Sequence, residues 1–144
     1  MKLYTIGFAG KSAEKFFSVL QEHAIIKIVD IRLNNMSQLA GFTKKDDLRY
    51  FLNAICGISY EHRTDFAPSK ELLDDYKKKR ISWSEYEMRY RSILEERNIL
   101  TGLDYTMLNN AAFLCSEASP QHCHRRLLAE FLTLHNNVLE IRHI

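Results

Sequence analysis

Apolar positions along the chain alternate between short continuous runs and helically spaced stripes. Leu3 to Ile6 is a brief apolar run stopped by Gly7, which predicts a first strand. Ser12 then stands where it can cap a helix whose apolar positions Ala13, Phe16, Phe17 and Leu20 follow the i, i+3, i+4, i+7 spacing. Ile25 to Ile31 is rich in β-branched residues and mostly apolar on both faces, the pattern of a central parallel strand. At its end Asp30 and Arg32, two residues apart, fall on the same side. Leu33 to Phe42 is polar and punctuated by Asn34-Asn35 and Gly41, as a loop would be. Thr43 with Asp46 resembles a capping arrangement for a helix marked by Leu48, Phe51, Leu52 and Ile55, with Gly57 as its C-cap. Ile58 to His62 alternates like a short strand.

Pro68-Ser69 opens a brief helix containing Leu72, Leu73 and Tyr76, and Ser82-Trp83-Ser84-Glu85 is a capping box for the next. That helix carries Trp83, Tyr86, Tyr90, Ile93 and Leu94 on one face, a spacing that predicts core packing. The last elements are a buried strand over Ala111–Cys115, a helix from Pro120 to about His135, and a strand over Val138–Ile144. Strands and helices alternate throughout. The expected fold is therefore α/β: a three-layer sandwich with a mainly parallel central sheet of about five strands flanked by helices, forming a single domain over residues 1–144.

Composition narrows the partners only a little. Apolar residues make up 46% and charged residues 26% of the 144, the balance of an ordinary globular protein. A net charge of +2 does not by itself argue for nucleic acid or a membrane surface, and no apolar run approaches the ~20 residues that span a bilayer. The basic run Lys77-Lys78-Lys79-Arg80 reads as a solvated helix end, favourable to the helix dipole. Three cysteines, an odd number, and an opening too short for a signal peptide predict free thiols and a cytoplasmic location.

The chemistry concentrates in residues 115–126, where a predicted strand passes through a polar loop into a helix. That is where open α/β sheets hold ligands. Cys115 and Glu117 project to the same side; Ser119 fits an N-cap and Pro120 a first helical position. Cys123 would then lie in the first turn, where the positive end of the helix favours its thiolate, with His124 beside it to handle protons. Arg125 and Arg126 are cations at the wrong end of a helix, so an acid (Glu117 or Asp30) or a bound anion should compensate them. Bland alternatives stay open: Cys115 as a small buried hydrophobe, His124 as a packed histidine, Arg125 with Glu117 as a structural ion pair. Cys115, Cys123, His122 and His124 are zinc-ligand types. The sequence lacks a Cys-x2–4-Cys knuckle, however, and neighbouring Cys123 and His124 would point about 100° apart on a helix, so no metal is assigned. A Cys-x5-Arg loop fails because the residue six after Cys115 is Gln121, and no glycine-rich nucleotide fingerprint occurs.

The Leu-Tyr-Thr-Ile-Gly opening, Val29-Asp30-Ile31-Arg32, Gly57-Ile58-Ser59-Tyr60 and Cys115-Ser-Glu117…Pro120…Cys123-His124-Arg125-Arg126 together resemble the domain-of-unknown-function family numbered 488, over nearly the whole chain. Where other members carry Gly-His-Ser after the first strand, this chain has Gly7-Phe8-Ala9. The resemblance implies a compact α/β domain and marks site positions, but supplies no reaction. Carried over by motif, the positions are Gly7, Asp30, Arg32, Tyr60, Cys115, Glu117, Cys123, His124 and Arg125. Most of them fall at strand C-termini or the last helix N-terminus, which converge on one crevice in a parallel sheet.

The expectation is that Cys115, Glu117, Cys123 and His124 carry chemistry, while Gly7, Asp30, Arg32, Tyr60 and Arg125 bind a small anionic ligand such as a nucleotide or phosphorylated metabolite. A non-catalytic binding module is the alternative, and a nucleic-acid-associated role using Lys77–Arg80, Arg89 and Arg91 the third. No cofactor, oligomeric state or membrane partner is indicated.

Overall fold

A computed structural model describes residues 1–36 and 40–144; residues 37–39 of the loop expected over Leu33–Phe42 lie outside the described residues. Five strands form one sheet: β1 (Lys2–Gly7), β2 (Lys27–Asp30), β3 (Ser59–His62), β4 (Ala111–Cys115) and β5 (Glu140–His143). Their order is β3-β2-β4-β1-β5, and every neighbouring pair is parallel. The middle strand, β4, is Ala-Ala-Phe-Leu-Cys with all five residues buried, as expected of a strand covered on both faces. The edge strands β3 and β5 carry the charged and exposed positions.

Side chains alternate across the sheet, so each strand feeds two cores. Leu3, Val29, Ile31, Ala111 and Phe113 face α3 (Lys70–Lys77), α4 (Trp83–Glu96) and α5 (His124–His135), packing on Tyr90, Leu94, Leu127 and Leu128. Tyr4, Ile6, Ile28, Ala112 and Leu114 face α1 (Ala13–Glu22) and α2 (Lys45–Phe51), packing on Phe16, Leu20, Leu48 and Leu52. This is the three-layer α/β sandwich. Each fully buried Phe or Leu in these layers contributes about 1.5–3 kcal/mol of burial free energy. No helix among the described residues is long and apolar enough to cross a membrane.

The helix starts mostly follow the capping signals. Ser12 Oγ accepts from the Lys15 amide at 3.1 Å, Ser69 Oγ from Leu72 at 3.1 Å and Ser82 Oγ from Glu85 at 3.2 Å. Gly57 closes the second helix at φ +64 after a π-helical turn over Leu52–Cys56. Thr43 is not a cap. It sits in a 3-10 turn and donates its hydroxyl to the Ala40 carbonyl, while Lys44 occupies the N-cap without a side-chain bond. Strands β2, β3 and β5 are each shorter than their apolar or alternating runs.

The largest departure is at α5, which starts at His124 and not at Pro120. Cys123, in extended conformation (φ −138, ψ 138), is its N-cap. The Ser119 hydroxyl serves a local turn, accepting from Gln121 N at 3.3 Å. Three carbonyls here accept from arginine side chains: Gln121 O, which a helix from Pro120 would use in its ladder, from Arg126 Nη2 at 3.0 Å, and Glu117 O and Ala118 O from Arg125 at 2.6 and 3.1 Å. These bonds hold residues 116–123 as a loop across the C-terminal ends of the strands.

Candidate functional site

Register sets the floor of the site. Gly7 pairs with Cys115 and Asp30 with Leu114, so β1, β4 and β2 end side by side beneath the 116–123 loop. Cys115 lies on the same face of β4 as Ala111 and Phe113, toward α4 and α5. His124, the first residue of α5, donates from Nε2 to the Ile31 carbonyl at 3.0 Å, since a carbonyl can only accept. Its Nδ1 is thereby turned to Cys115 Sγ at 3.7 Å. Tyr90 packs edge-on against the imidazole, with centroids 5.8 Å apart. Because Cys123 is extended, its sulfur joins the group: Cys115 Sγ, Cys123 Sγ and a His124 ring nitrogen all lie within 4.8 Å of one another, and all three residues are buried.

The electrostatics separate the two thiols. Cys115 is held well below the ordinary thiol range, first by the Cys123 S–H turned toward it; burial opposes this, and the charge and N–H of His124 add to it. Cys123 is pushed far up by the same sulfur and by burial, so it remains a thiol. For His124, burial disfavours the charged ring, but the Cys115 sulfur and the Ile31 carbonyl outweigh it and raise its pKa. The directions together favour the charged forms of Cys115 and His124 over their neutral forms and keep Cys123 a thiol. The helix-turn argument had favoured Cys123 as the thiolate. It is outweighed because the adjoining Cys115 sulfur and burial raise the Cys123 thiol, whereas Cys115 receives both donors.

These groups form one wall of a pocket of about 720 Å³, lined also by Phe8, Arg32, Tyr76, Trp83, Tyr86 and His122, with Lys77 and Lys79 at its border and Glu117 on its loop side. Trp83 stacks on Tyr86 at 4.9 Å between centroids, and the exposed His122 ring lies 5.1 Å from that of Trp83. Arg32 is 5% exposed and spans Asp30 as a fork, Nε to Oδ1 and Nη2 to Oδ2 both at 2.8 Å, with Nη2 also donating to the Thr43 carbonyl at 2.7 Å. Its remaining nitrogen, Nη1, is buried without a hydrogen-bond partner among the described residues. Its guanidinium lies over the Phe8 ring at 5.3 Å.

The motif positions thus divide into three groups. Arg32, Cys115, Glu117, Cys123 and His124 line the pocket. Asp30 and Tyr60 support it from below: the Tyr60 hydroxyl donates to Asp30 Oδ2 at 2.6 Å and accepts from Asn35 Nδ2 at 3.0 Å, with its own ionisation pushed up by burial and by the Asp30 carboxylate. Gly7 and Arg125 fix the loop. A Cβ on Gly7 would overlap the Glu117 carbonyl oxygen, and Arg125, 1% exposed, bonds the two carbonyls of Glu117 and Ala118. The compensation expected for Arg125 is therefore backbone carbonyl and not the Glu117 carboxylate. Arg126 is met by Glu130 at 2.8 Å.

Trp83, Tyr86 and Tyr76 were legible only as core, and Lys77 and Lys79 only as a solvated helix end. The available signal was the place of Trp83 as the first residue of α4, at the end of that helix's apolar stripe. Arg89 and Arg91, expected as nucleic-acid contacts, are paired with Asp75 (3.0 Å) and Glu87 (3.4 Å).

Two sulfurs and an imidazole nitrogen are a donor set that zinc accepts, and a histidine whose second nitrogen bonds a backbone carbonyl is oriented as metal-bound histidines are. Cys115, Cys123 and His124 are therefore the described residues that could hold a metal. The same three side chains without one can perform nucleophilic thiol chemistry, with the imidazolium as proton donor.

A family model described as Domain of unknown function DUF488 matches residues 12–132. No curated protein and no solved structure matches the chain.

Proposed function

The chain belongs to the DUF488 family, and we propose that this member binds a small anionic, ring-bearing molecule of nucleotide size in the pocket at the strand ends and acts on it through Cys115. The observation that carries the reading is the Cys115–His124 pair, at 3.7 Å, in the wall of that pocket. A volume of about 720 Å³ falls within the range of small-molecule sites. Trp83, half-buried in the pocket wall, offers an aromatic surface to a flat ring, while Arg32, with its unpartnered Nη1, and the rim lysines supply positive charge. Cys115 attacks an electrophilic centre of the bound molecule, and His124 donates its proton to the group that leaves.

Trp83 is the single tryptophan of the chain and lines the pocket, so its fluorescence reports occupancy directly. Titration with AMP, ATP and inorganic pyrophosphate should change the emission saturably, and the bound anion should slow iodoacetamide labelling of Cys115. Emission that none of these probes changes, with labelling equally unaffected, refutes anion binding here.

A binding module without turnover is the second reading, favoured by the burial of Cys115, Cys123 and His124, which are 4%, 2% and 7% exposed. Cys115→Ser separates the two: it leaves ligand affinity in place under both and removes covalent chemistry only under the first.

A further inference from the structure

We infer that Cys115 and Cys123 form a dithiol–disulfide redox couple, in which Cys115 attacks a small disulfide and Cys123 resolves the adduct. The inference rests on the proposed role of Cys115 as the pocket nucleophile and gives Cys123 a function that a simple nucleophile site would not need.

Three observations carry it. The two sulfurs lie within 4.8 Å, so a bond of about 2.05 Å needs them to close by less than ~3 Å. Cys123 stands outside α5, in extended conformation at the end of the 116–123 loop, so its side chain can turn without breaking a helical hydrogen bond. Both residues line the pocket, so an adduct on Cys115 forms next to the thiol that would displace it. Cys56 has no such partner. It lies in the π-helical turn of the opposite layer, its sulfur directed at the Phe17 carbonyl at 3.9 Å, with its pKa raised by burial.

The electrons and protons balance with a low-molecular-weight disulfide, RSSR, as oxidant. The Cys115 thiolate attacks one sulfur, forming Cys115–S–S–R and expelling RS⁻, which takes the proton of the His124 imidazolium and leaves as RSH. With the negative charge gone from Cys115, neutral His124 accepts the Cys123 proton through Nδ1. The Cys123 thiolate attacks the Cys115 sulfur of the adduct, forms the intramolecular disulfide and expels the second RS⁻, which His124 reprotonates. Two electrons pass from the protein sulfurs to RSSR, and two RSH are released. The geometry favours this order, because Cys115 is the sulfur set against His124 Nδ1 at 3.7 Å, while Cys123 stands at the loop end beside the adduct it would displace.

The test uses the full chain in a Cys56→Ser background with oxidised glutathione, followed by intact mass and peptide mapping. The inference expects the mass to fall by two hydrogens, with a Cys115–Cys123 link that dithiothreitol reverses. It expects Cys123→Ser to accumulate a stable glutathione adduct at position 115, and Cys115→Ser to take up none. If Cys115 labels rapidly with iodoacetamide but ends as a stable adduct in the parent protein, the couple is refuted while the nucleophile reading stands. If Cys115 is inert to both reagents, the two fall together. Protein isolated with stoichiometric zinc, whose thiols oxidise only after chelation, assigns the cluster to a metal and overturns the couple.

Discussion

The carbonyl oxygen of Ile31, one residue past the end of β2, accepts a hydrogen bond from His124 Nε2 at 3.0 Å. Because that nitrogen must carry the proton, the other, Nδ1, is turned to the Cys115 sulfur at 3.7 Å. A contact between β2 and α5 thus sets how a thiol at the end of β4 ionises. Substituting His124 by Gln keeps a polar side chain of similar reach but removes the cation. The Cys115 thiol should then ionise at higher pH, moving the midpoint of its alkylation–pH profile up, with the rate at any one pH slowing by about tenfold for each unit by which the midpoint comes to exceed that pH. Quenched labelling with iodoacetamide across the pH range measures it; an unmoved midpoint means that His124 does not activate the thiol.

Asp30 is fully buried and carries both Arg32 and the Tyr60 hydroxyl. Asp30→Ala leaves the guanidinium buried without its counter-charge and should cost about 3–5 kcal/mol in urea unfolding. Tyr60→Phe removes one hydrogen bond to a carboxylate and should cost about 1.5–3 kcal/mol. The double variant should lose clearly less than the sum, because the Tyr60 bond has no acceptor once Asp30 is gone. Additive losses would mean that the three groups do not act as one network.

Gly7→Ala drives a methyl group into the Glu117 carbonyl, and Arg125 already holds that carbonyl in place. The cost should be about 1–3 kcal/mol, and the 116–123 loop should become more open to protease. Cys115 labelling should change with it, since the loop roofs that thiol. Wild-type protease resistance in Gly7→Ala would show that the loop is not pinned from below.

Lys77 and Lys79 are exposed at the pocket border, and a rim charge of this kind contributes roughly 0.2–1 kcal/mol. Lys77→Gln or Lys79→Gln should weaken an anion that quenches Trp83 by no more than about fivefold each at low salt, with the difference vanishing at high salt. Arg32→Gln, inside the pocket, should weaken it more. Equal affinities across all three variants would place the anion elsewhere.

Much of this was readable from residue patterns because each layer depends on local periodicity. The run Ala111–Leu114 reads as a buried strand, and the spacing of Phe16, Phe17 and Leu20 reads as the apolar face of a helix. That Asp30 and Arg32 share a side followed from the two-residue repeat of a strand end; that they pair with one another did not. The start of α5 was not readable. Ser119-Pro120 has the chemistry of a helix start, and what overrides it is Arg125 and Arg126 reaching back to loop carbonyls, contacts between residues that no periodicity links. That same shift took Cys123 off the helix and removed the 100° divergence that had argued against a shared ligand set. The pocket-facing role of Trp83 and Tyr86 was hidden for a different reason. An aromatic side chain long enough to reach both core and cleft has the same spacing in either case.

The pH dependence of Cys115 alkylation in the Cys56→Ser, Cys123→Ala background, where only this thiol remains, probes the His124 half of the arrangement alone, because an alanine leaves no donor at 123. In Cys56→Ser, with residue 115 followed by peptide mapping, both donors act, and this is the decisive profile. A thiol held low ionises at lower pH, so its labelling rate should stay on the plateau as pH falls past the ordinary thiol value of about 8.5 and should drop only in acid. A rate that instead falls away around pH 8.5, as for a free cysteine, would contradict the thiolate at Cys115 and the chemistry proposed for the pocket.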